Sequence, residues 1–221
     1  MTEILYEDNH LLCVKKPVNV PVQEDASGDA DMLSILKAYL KKTYHKPGNV
    51  WLGLVHRLDR PVGGAMVFAK TSKAASRLSE TIRTDRMEKE YLAVTDGIVS
   101  PPSGILKDYL VKNQKTNTVT VTDEKHGKYC ELSYETLGTN RGRSLVRVRL
   151  KTGRSHQIRV QFASRGYPLV NDQRYNRNAA KGQIALWSYR IAFPHPITKE
   201  TTEVICPPEH RSPWKDFEVL S

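Results

Sequence analysis

The stretch Ser144–Leu150, SLVRVRL, alternates residue by residue, and this limits the fold more than any other feature. Val146, Val148 and Leu150 fall on one face, and Leu145, Arg147 and Arg149 on the other. That is the period of two of a half-buried strand. NTVTVTD and YCELSYETLG before it, and IALWSYRIAFPHP after it, read the same way, so the second half of the chain is β-rich. Helices belong to the first half. Asp31 caps DMLSILKAYLKKTYH, whose Met32, Ile35, Leu36, Tyr39 and Leu40 share a face while Lys37, Lys41 and Lys42 meet water. Ser72 caps SKAASRLSETIRT, which buries Ala75, Leu78 and Ile82. LLCV is a strand ended by Pro17, WLGLVHRLD a strand leading into a second one, GGAMVFAKT, and KEYLAVTDG another. The expected class is α+β, with a mixed, mainly antiparallel central β-sheet flanked by helices and loops. A chain of 221 residues suits one large domain or a compact unit with two lobes.

A net charge of +10 predicts a polyanionic partner, nucleic acid or an anionic surface. No apolar run approaches the roughly 20 residues of a membrane span. The acidic start MTEILYEDNH lacks the basic and apolar regions of a signal peptide, so no membrane and a cytoplasmic location are expected. Cys13, Cys130 and Cys206 are isolated, which predicts reduced thiols and no zinc knuckle. No Gly-rich dinucleotide loop is present, so no nucleotide cofactor is expected. The densest basic segment is Asn140–Arg165, with Arg141, Arg143, Arg147, Arg149, Lys151, Arg154, Arg159 and Arg165 and no acid. An acid-free run of this length, richer in Arg than in Lys, predicts a phosphate-tracking surface.

Two short segments stand out from this background. VHRLDRPVGG holds Asp59 between Arg57 and Arg60, with His56 before it and Pro61 and Gly63-Gly64 after it, in a connection between strands. Taken alone it is compatible with a surface salt bridge. In KTGRSHQIR, Gly153 breaks a strand directly before Arg154. If the following residues are helical, Arg154 and Ile158 lie one turn apart on one face. The alternative is an arginine that caps a loop carbonyl.

Together these segments resemble the RluA-type pseudouridine synthases, almost from end to end. The family pattern H-R-L-D-x-x-T-S-G is met by HRLDRPVGG, K-x-Y-L-A by KEYLA, and T-G-R-T/S-H-Q-I/L-R by TGRSHQIR. ILYEDNHLLCVKKP is similar to the family's opening strand and SYRIAFPHPIT to a late signature. Pro61-Val62-Gly63 departs from the commoner D-T-S, Asn19 replaces a glycine, and Trp187 stands where His is frequent. The resemblance implies the pseudouridine synthase fold over residues 1–221 as one catalytic domain, without a separate amino-terminal RNA-binding domain. It also implies an enzyme without metal or cofactor, acting on uridines of rRNA or tRNA, and a monomer is the default expectation.

By the same resemblance Asp59 is the catalytic aspartate, Tyr91 the active-site tyrosine and Arg154 the arginine paired with the aspartate. Ile158 lines the pocket, and His56, Arg57, Arg60, Gln157 and Arg159 bind substrate. Such an enzyme cleaves an N-glycosidic bond, rotates the base and rejoins it through carbon. Asp59 serves as nucleophile or as the base that takes a sugar proton, and both routes stay open. Burial alone would raise its pKa, which a guanidinium such as Arg154 opposes. Tyr91 offers an aromatic face and a hydroxyl. The uridine must leave its stack, with Arg57 either filling the gap or, like Arg60, holding phosphate. A glycoside hydrolase would need two facing carboxylates, and only Asp59 lies in a motif. A non-catalytic RNA-binding or RNA-chaperone protein is the alternative of another class.

Overall fold

A computed structural model describes residues 2–217. In chain order the first half forms β1 (Glu3–Glu7), β2 (Leu11–Lys16), α1 (Met32–Thr43), β3 (Gly53–Leu54), β4 (Gly63–Ala69) and α2 (Ser72–Arg83). Then come β5 (Glu88–Asp96), β6 (Ser103–Asn113), β7 (Thr118–Thr122), β8 (Lys128–Asn140), β9 (Arg143–Leu150) and α3 (Gln157–Ala163). β10 (Leu186–Pro194) and β11 (Thr201–Ile205) complete the set, followed by one turn of 3-10 helix, Trp214–Asp216. The class is α+β, and the sheets are mainly antiparallel.

The chain divides into two compact units. Unit 1 is Met1–Glu88 with Ser188–Cys206, and unit 2 is Lys89–Trp187 with Pro207–Ser221. In unit 1, β2 pairs antiparallel with β1 and with β4, and β3 adds two residues to β4. β10 lies beside β4 and pairs with β11. β4 is buried along its whole length, which is why GGAMVFA is continuously apolar and does not alternate. Asp31 caps α1 by accepting from the Ser34 amide at 3.1 Å, and Met32, Leu36 and Leu40 face inward.

Two expectations move slightly here. Thr71, not Ser72, caps α2, its hydroxyl accepting from the Ala74 amide at 3.2 Å. The buried stripe of α2 is Ala74, Leu78 and Thr81, a slight rotation from the apolar one. Thr81 tolerates burial because its hydroxyl donates to the Arg77 carbonyl at 2.9 Å.

Where β4 meets β10 the backbones come too close for a side chain. Gly64 has φ +114, and a Cβ there would stand 2.2 Å from the Ser188 carbonyl oxygen. Gly64→Ala is therefore expected to unfold the protein or to destabilise it by about 3 kcal/mol or more. Denaturant unfolding of the purified variant measures this, and wild-type stability would refute it.

Unit 2 is a five-strand antiparallel sheet in the order β5-β9-β8-β6-β7. β9 carries the alternation read above from Val146 on, with Val146 and Val148 fully buried, Arg147 half-buried and Arg149 exposed, whereas Leu145 on the arginine face is fully buried as well. Tyr91 of β5 lies opposite Val148, which in turn lies opposite Tyr134 of β8. Tyr134 meets Phe162 of α3 edge to face, with ring centroids 5.5 Å apart.

Candidate active site

The Asp59 segment is not a strand. Only Gly53 and Leu54 pair with β4, and the chain from Val55 to Pro61 is irregular. Leu58 and Val62 are buried anchors, 7% and 2% exposed, on either side of the half-buried Asp59. The turn closes through the backbone, with the Val62 amide donating to the Asp59 carbonyl at 2.9 Å. The Val62 of the divergent PVG sequence thus serves twice, as apolar anchor and as turn closure.

Beneath this turn lies a residue that the motifs do not single out. Lys16, the last residue of β2, is 0% exposed. Its ammonium donates to the carbonyls of Pro17 at 2.9 Å, Arg60 at 3.0 Å and Val62 at 2.8 Å. All three protons of the ammonium are therefore committed, two of them to the turn itself. Burial pushes Lys16 down to about 7, the Asp59 carboxylate opposes that shift and Arg60 adds to it.

The other candidates of this segment have internal partners. His56 Nε2 accepts the Val67 amide at 3.1 Å, which puts the ring proton on Nδ1 and ties the segment to the middle of β4. Arg60 donates from Nε to the Asn19 carbonyl at 3.1 Å and pairs with Asp25 and Asp29, so it fastens the loop after β2. Arg57 is exposed.

In unit 2 the Arg154 turn is held by Gln157, which is 2% exposed. Its Oε1 accepts the Arg154 amide at 3.0 Å and the Thr152 hydroxyl at 2.8 Å, and its Nε2 donates to the Glu131 carbonyl at 3.1 Å. The expectation that Arg154 and Ile158 share a helical face is corrected. His156 has φ 53, and α3 starts only at Gln157, so Arg154 lies before the helix. The exposed Arg154 donates from Nε to the Tyr129 carbonyl at 2.9 Å, while Ile158 is 4% exposed and Tyr91 7%. Arg159 is no surface cation. It is 5% exposed, forms a forked pair with the fully buried Asp172 at 2.8 and 2.7 Å, and lies over the Tyr175 ring. Gln157 and Arg159, expected to bind substrate, both make internal hydrogen bonds in the structure.

The basic run of Asn140–Arg165 is acid-free along the chain but not in space. Arg147 pairs with Glu135 at 2.9 Å, Arg149 with Glu90 at 3.3 Å and Lys151 with Glu131 at 3.2 Å, each across neighbouring strands. Arg165 pairs with Asp108 at 2.9 Å, and Arg143 lies 3.9 Å from Asp96. With Arg159 bound to Asp172, the exposed Arg141 and Arg154 remain outside ion pairs among the described residues. The expected continuous phosphate surface is therefore largely neutralised by β5, β6 and β8.

A cue to Lys16 did exist: it follows Leu12 and Val14 at steps of two, so it occupies the buried parity of β2. Asp172 carries no comparable cue, lying in irregular chain after α3. Among the described residues, no helix is long and apolar enough to cross a membrane.

Comparison with known proteins adds independent findings. A family model described as RNA pseudouridylate synthase matches residues 10–164. Ribosomal large subunit pseudouridine synthase C of Buchnera aphidicola (subsp. Schizaphis graminum) is 31% identical over 94% of this chain and 67% of its own length. Ribosomal large subunit pseudouridine synthase D of Haemophilus influenzae is 32% identical over 92% of this chain and 66% of its own length. The chain thus spans about two thirds of the length of these relatives. Among solved structures, human RNA Pseudouridylate Synthase Domain Containing 4 superposes with a TM-score of 0.78 over 92% of this chain and 87% of that one. At 22% identity that likeness is one of fold.

Proposed function

The chain belongs to the RNA pseudouridylate synthase family, and from that membership we propose that it isomerises uridine to pseudouridine in structured RNA. The names of the relatives favour ribosomal RNA of the large subunit as the substrate. The observation that carries the reading is positional: HRLD, KEYLA and TGRSHQIR, with Asp59, Tyr91 and Arg154, all fall inside the matched residues 10–164.

In this reading the bond from uracil N1 to the ribose breaks, the base turns, and a bond from C5 to the same ribose carbon forms. N1 gains a proton and C5 loses one, so no electrons are exchanged with a cofactor. Asp59 supplies the carboxylate, as nucleophile toward the sugar or as base for a sugar proton. Tyr91 supplies a ring face and a hydroxyl, and Arg154 a guanidinium for the charge that the reaction requires. Arg57, exposed beside Asp59, meets the RNA, and Ile158 adds an apolar wall. His56, Arg60, Gln157 and Arg159 act by positioning, each holding its segment through an internal bond, to the Val67 amide, the Asn19 carbonyl, the Arg154 amide and Asp172 respectively.

The reading is tested by incubating the purified protein with total RNA from cells that lack the gene and mapping pseudouridine. New pseudouridine at defined uridines is expected. Binding without any conversion would refute the reading. Arg154→Ala separates catalysis from folding. Among the described residues its exposed side chain makes one hydrogen bond, to the Tyr129 carbonyl, so stability should change by less than about 1 kcal/mol. Turnover should fall about a hundredfold or more, and normal turnover would remove Arg154 from the catalytic set.

A further inference from the structure

Residues 37–57 form a second stretch without Asp or Glu, and here space does not supply the missing acids. Lys37, Lys41, Lys42 and Lys46 are all exposed, and none takes part in an ion pair among the described residues. Because α1 turns Met32, Leu36 and Leu40 inward, it turns Lys37 and Lys41 outward, one helical turn apart. Like charges at that spacing weaken a helix. The macrodipole offsets this for Lys41 and Lys42, which lie in the last turn, but not for Lys37 or Lys46. Glu7, which bonds two tyrosines at the end of α1, is already committed: it accepts from Tyr39 at 2.8 Å, Tyr44 at 2.7 Å and Lys70 at 2.7 Å.

An aromatic ring follows this cationic face. Trp51 is 49% exposed. Its indole lies against Gly53: a Cβ there would stand 2.6 Å from Trp51 Cη2. One side of the ring is thus seated on Gly53 of β3, and the ring still reaches solvent. The five-residue step from Lys46 to Trp51 spans at most about 18 Å of extended chain.

We propose that the outer face of α1, the loop after it and the indole of Trp51 form an RNA-contact surface distinct from the motif residues. Lys37, Lys41, Lys42 and Lys46 hold phosphates, and Trp51 stacks on an unpaired base. Charge complementarity and a seated, solvent-facing aromatic are the two features that single-strand recognition combines. An anionic membrane would be met by a helix whose own outer face carries large apolar residues among the cations. α1 exposes Ser34 and Ala38 there. This inference rests on the RNA reading above and extends it to a surface that no motif marks.

The test is anisotropy with a labelled oligouridylate of about twelve nucleotides and with an RNA duplex. K37Q/K41Q/K42Q/K46Q should bind the oligouridylate about tenfold more weakly near 0.1 M salt, and the slope of log K against log salt should flatten by about two to three. Trp51→Ala should weaken the oligouridylate about tenfold without changing duplex affinity, and Trp51→Phe should restore most of the loss. Wild-type affinity and salt slope in the four-lysine variant, with thermal unfolding unchanged, would overturn the surface while leaving the enzyme reading intact. A wild type that neither binds RNA nor forms pseudouridine would overturn both. Capture on phosphatidylserine vesicles in preference to RNA, lost in the four-lysine variant, would overturn the surface as an RNA site.

Discussion

Asp59→Asn is expected to bind RNA as the wild type does and to form pseudouridine at least about a thousandfold more slowly. The substitution removes the charge and keeps the shape. The turn closes through the Asp59 backbone carbonyl and not its carboxylate, so Asn retains the closure by the Val62 amide. The anchors on either side, Leu58 and Val62, are untouched. What Asn cannot do is attack a sugar or hold a proton taken from one, whichever route the reaction follows. One secondary effect has a definite direction. The Asp59 carboxylate opposes the burial that lowers Lys16, so without it the Lys16 ammonium is less favoured. A modest loss of stability below neutral pH should therefore accompany the catalytic loss. Pseudouridine mapping, filter binding and thermal unfolding on one preparation separate these effects. Conversion within tenfold of the wild type would remove Asp59 from its proposed role.

The local pattern was readable where one face of one element decides it. The alternation of β9, the Asp31 cap and the inward stripe of α1 are all set within a few residues, and they stand as expected. Two kinds of information were not local. The first is cross-strand charge: Glu131 and Glu135 lie just before the basic run and Glu90 far before it, and only strand register sets each beside one of its cations. The second is the use of a motif's polar side chains as scaffold. Gln157 and Arg159 look identical in sequence to ligands of substrate. Only the Glu131 carbonyl and Asp172 reveal that their bonds are already made. The HRLD segment misled for a related reason. Its apolar residues suggest a strand, but Leu58 and Val62 are buried as anchors of an irregular turn, and His56 meets β4 through its ring.

Lys16→Met should lower turnover about a hundredfold while changing stability in a way that depends on pH. Methionine has nearly the length of lysine but no donor, so the Arg60 and Val62 carbonyls lose the bonds that fix the turn after Asp59. With Asp59 in its proposed role, a shift of its carboxylate of about 1 Å is enough for a loss of that size. Two opposing terms act on stability. Leaving buried carbonyls without donors costs about 1–3 kcal/mol each. Against this, the variant no longer buries an ammonium whose folded value lies near 7, well below its ordinary 10.5. Between those two values the unfolded chain binds more protons at Lys16 than the folded one. Wild-type stability should therefore rise with pH from about 7, by up to about 1.4 kcal/mol per pH unit from this group. Cys13 acts in the opposite sense above its ordinary 9.0, because burial pushes its thiol up to about 12 and the folded state then holds the proton. The informative window is accordingly pH 7 to 9, where Lys16 is titrating and Cys13 is not. Denaturant unfolding across that window should show a rising wild-type curve and a flatter Lys16→Met curve. Parallel curves would mean that Lys16 keeps its proton through the window, and wild-type turnover in the variant would mean that the turn holds without it.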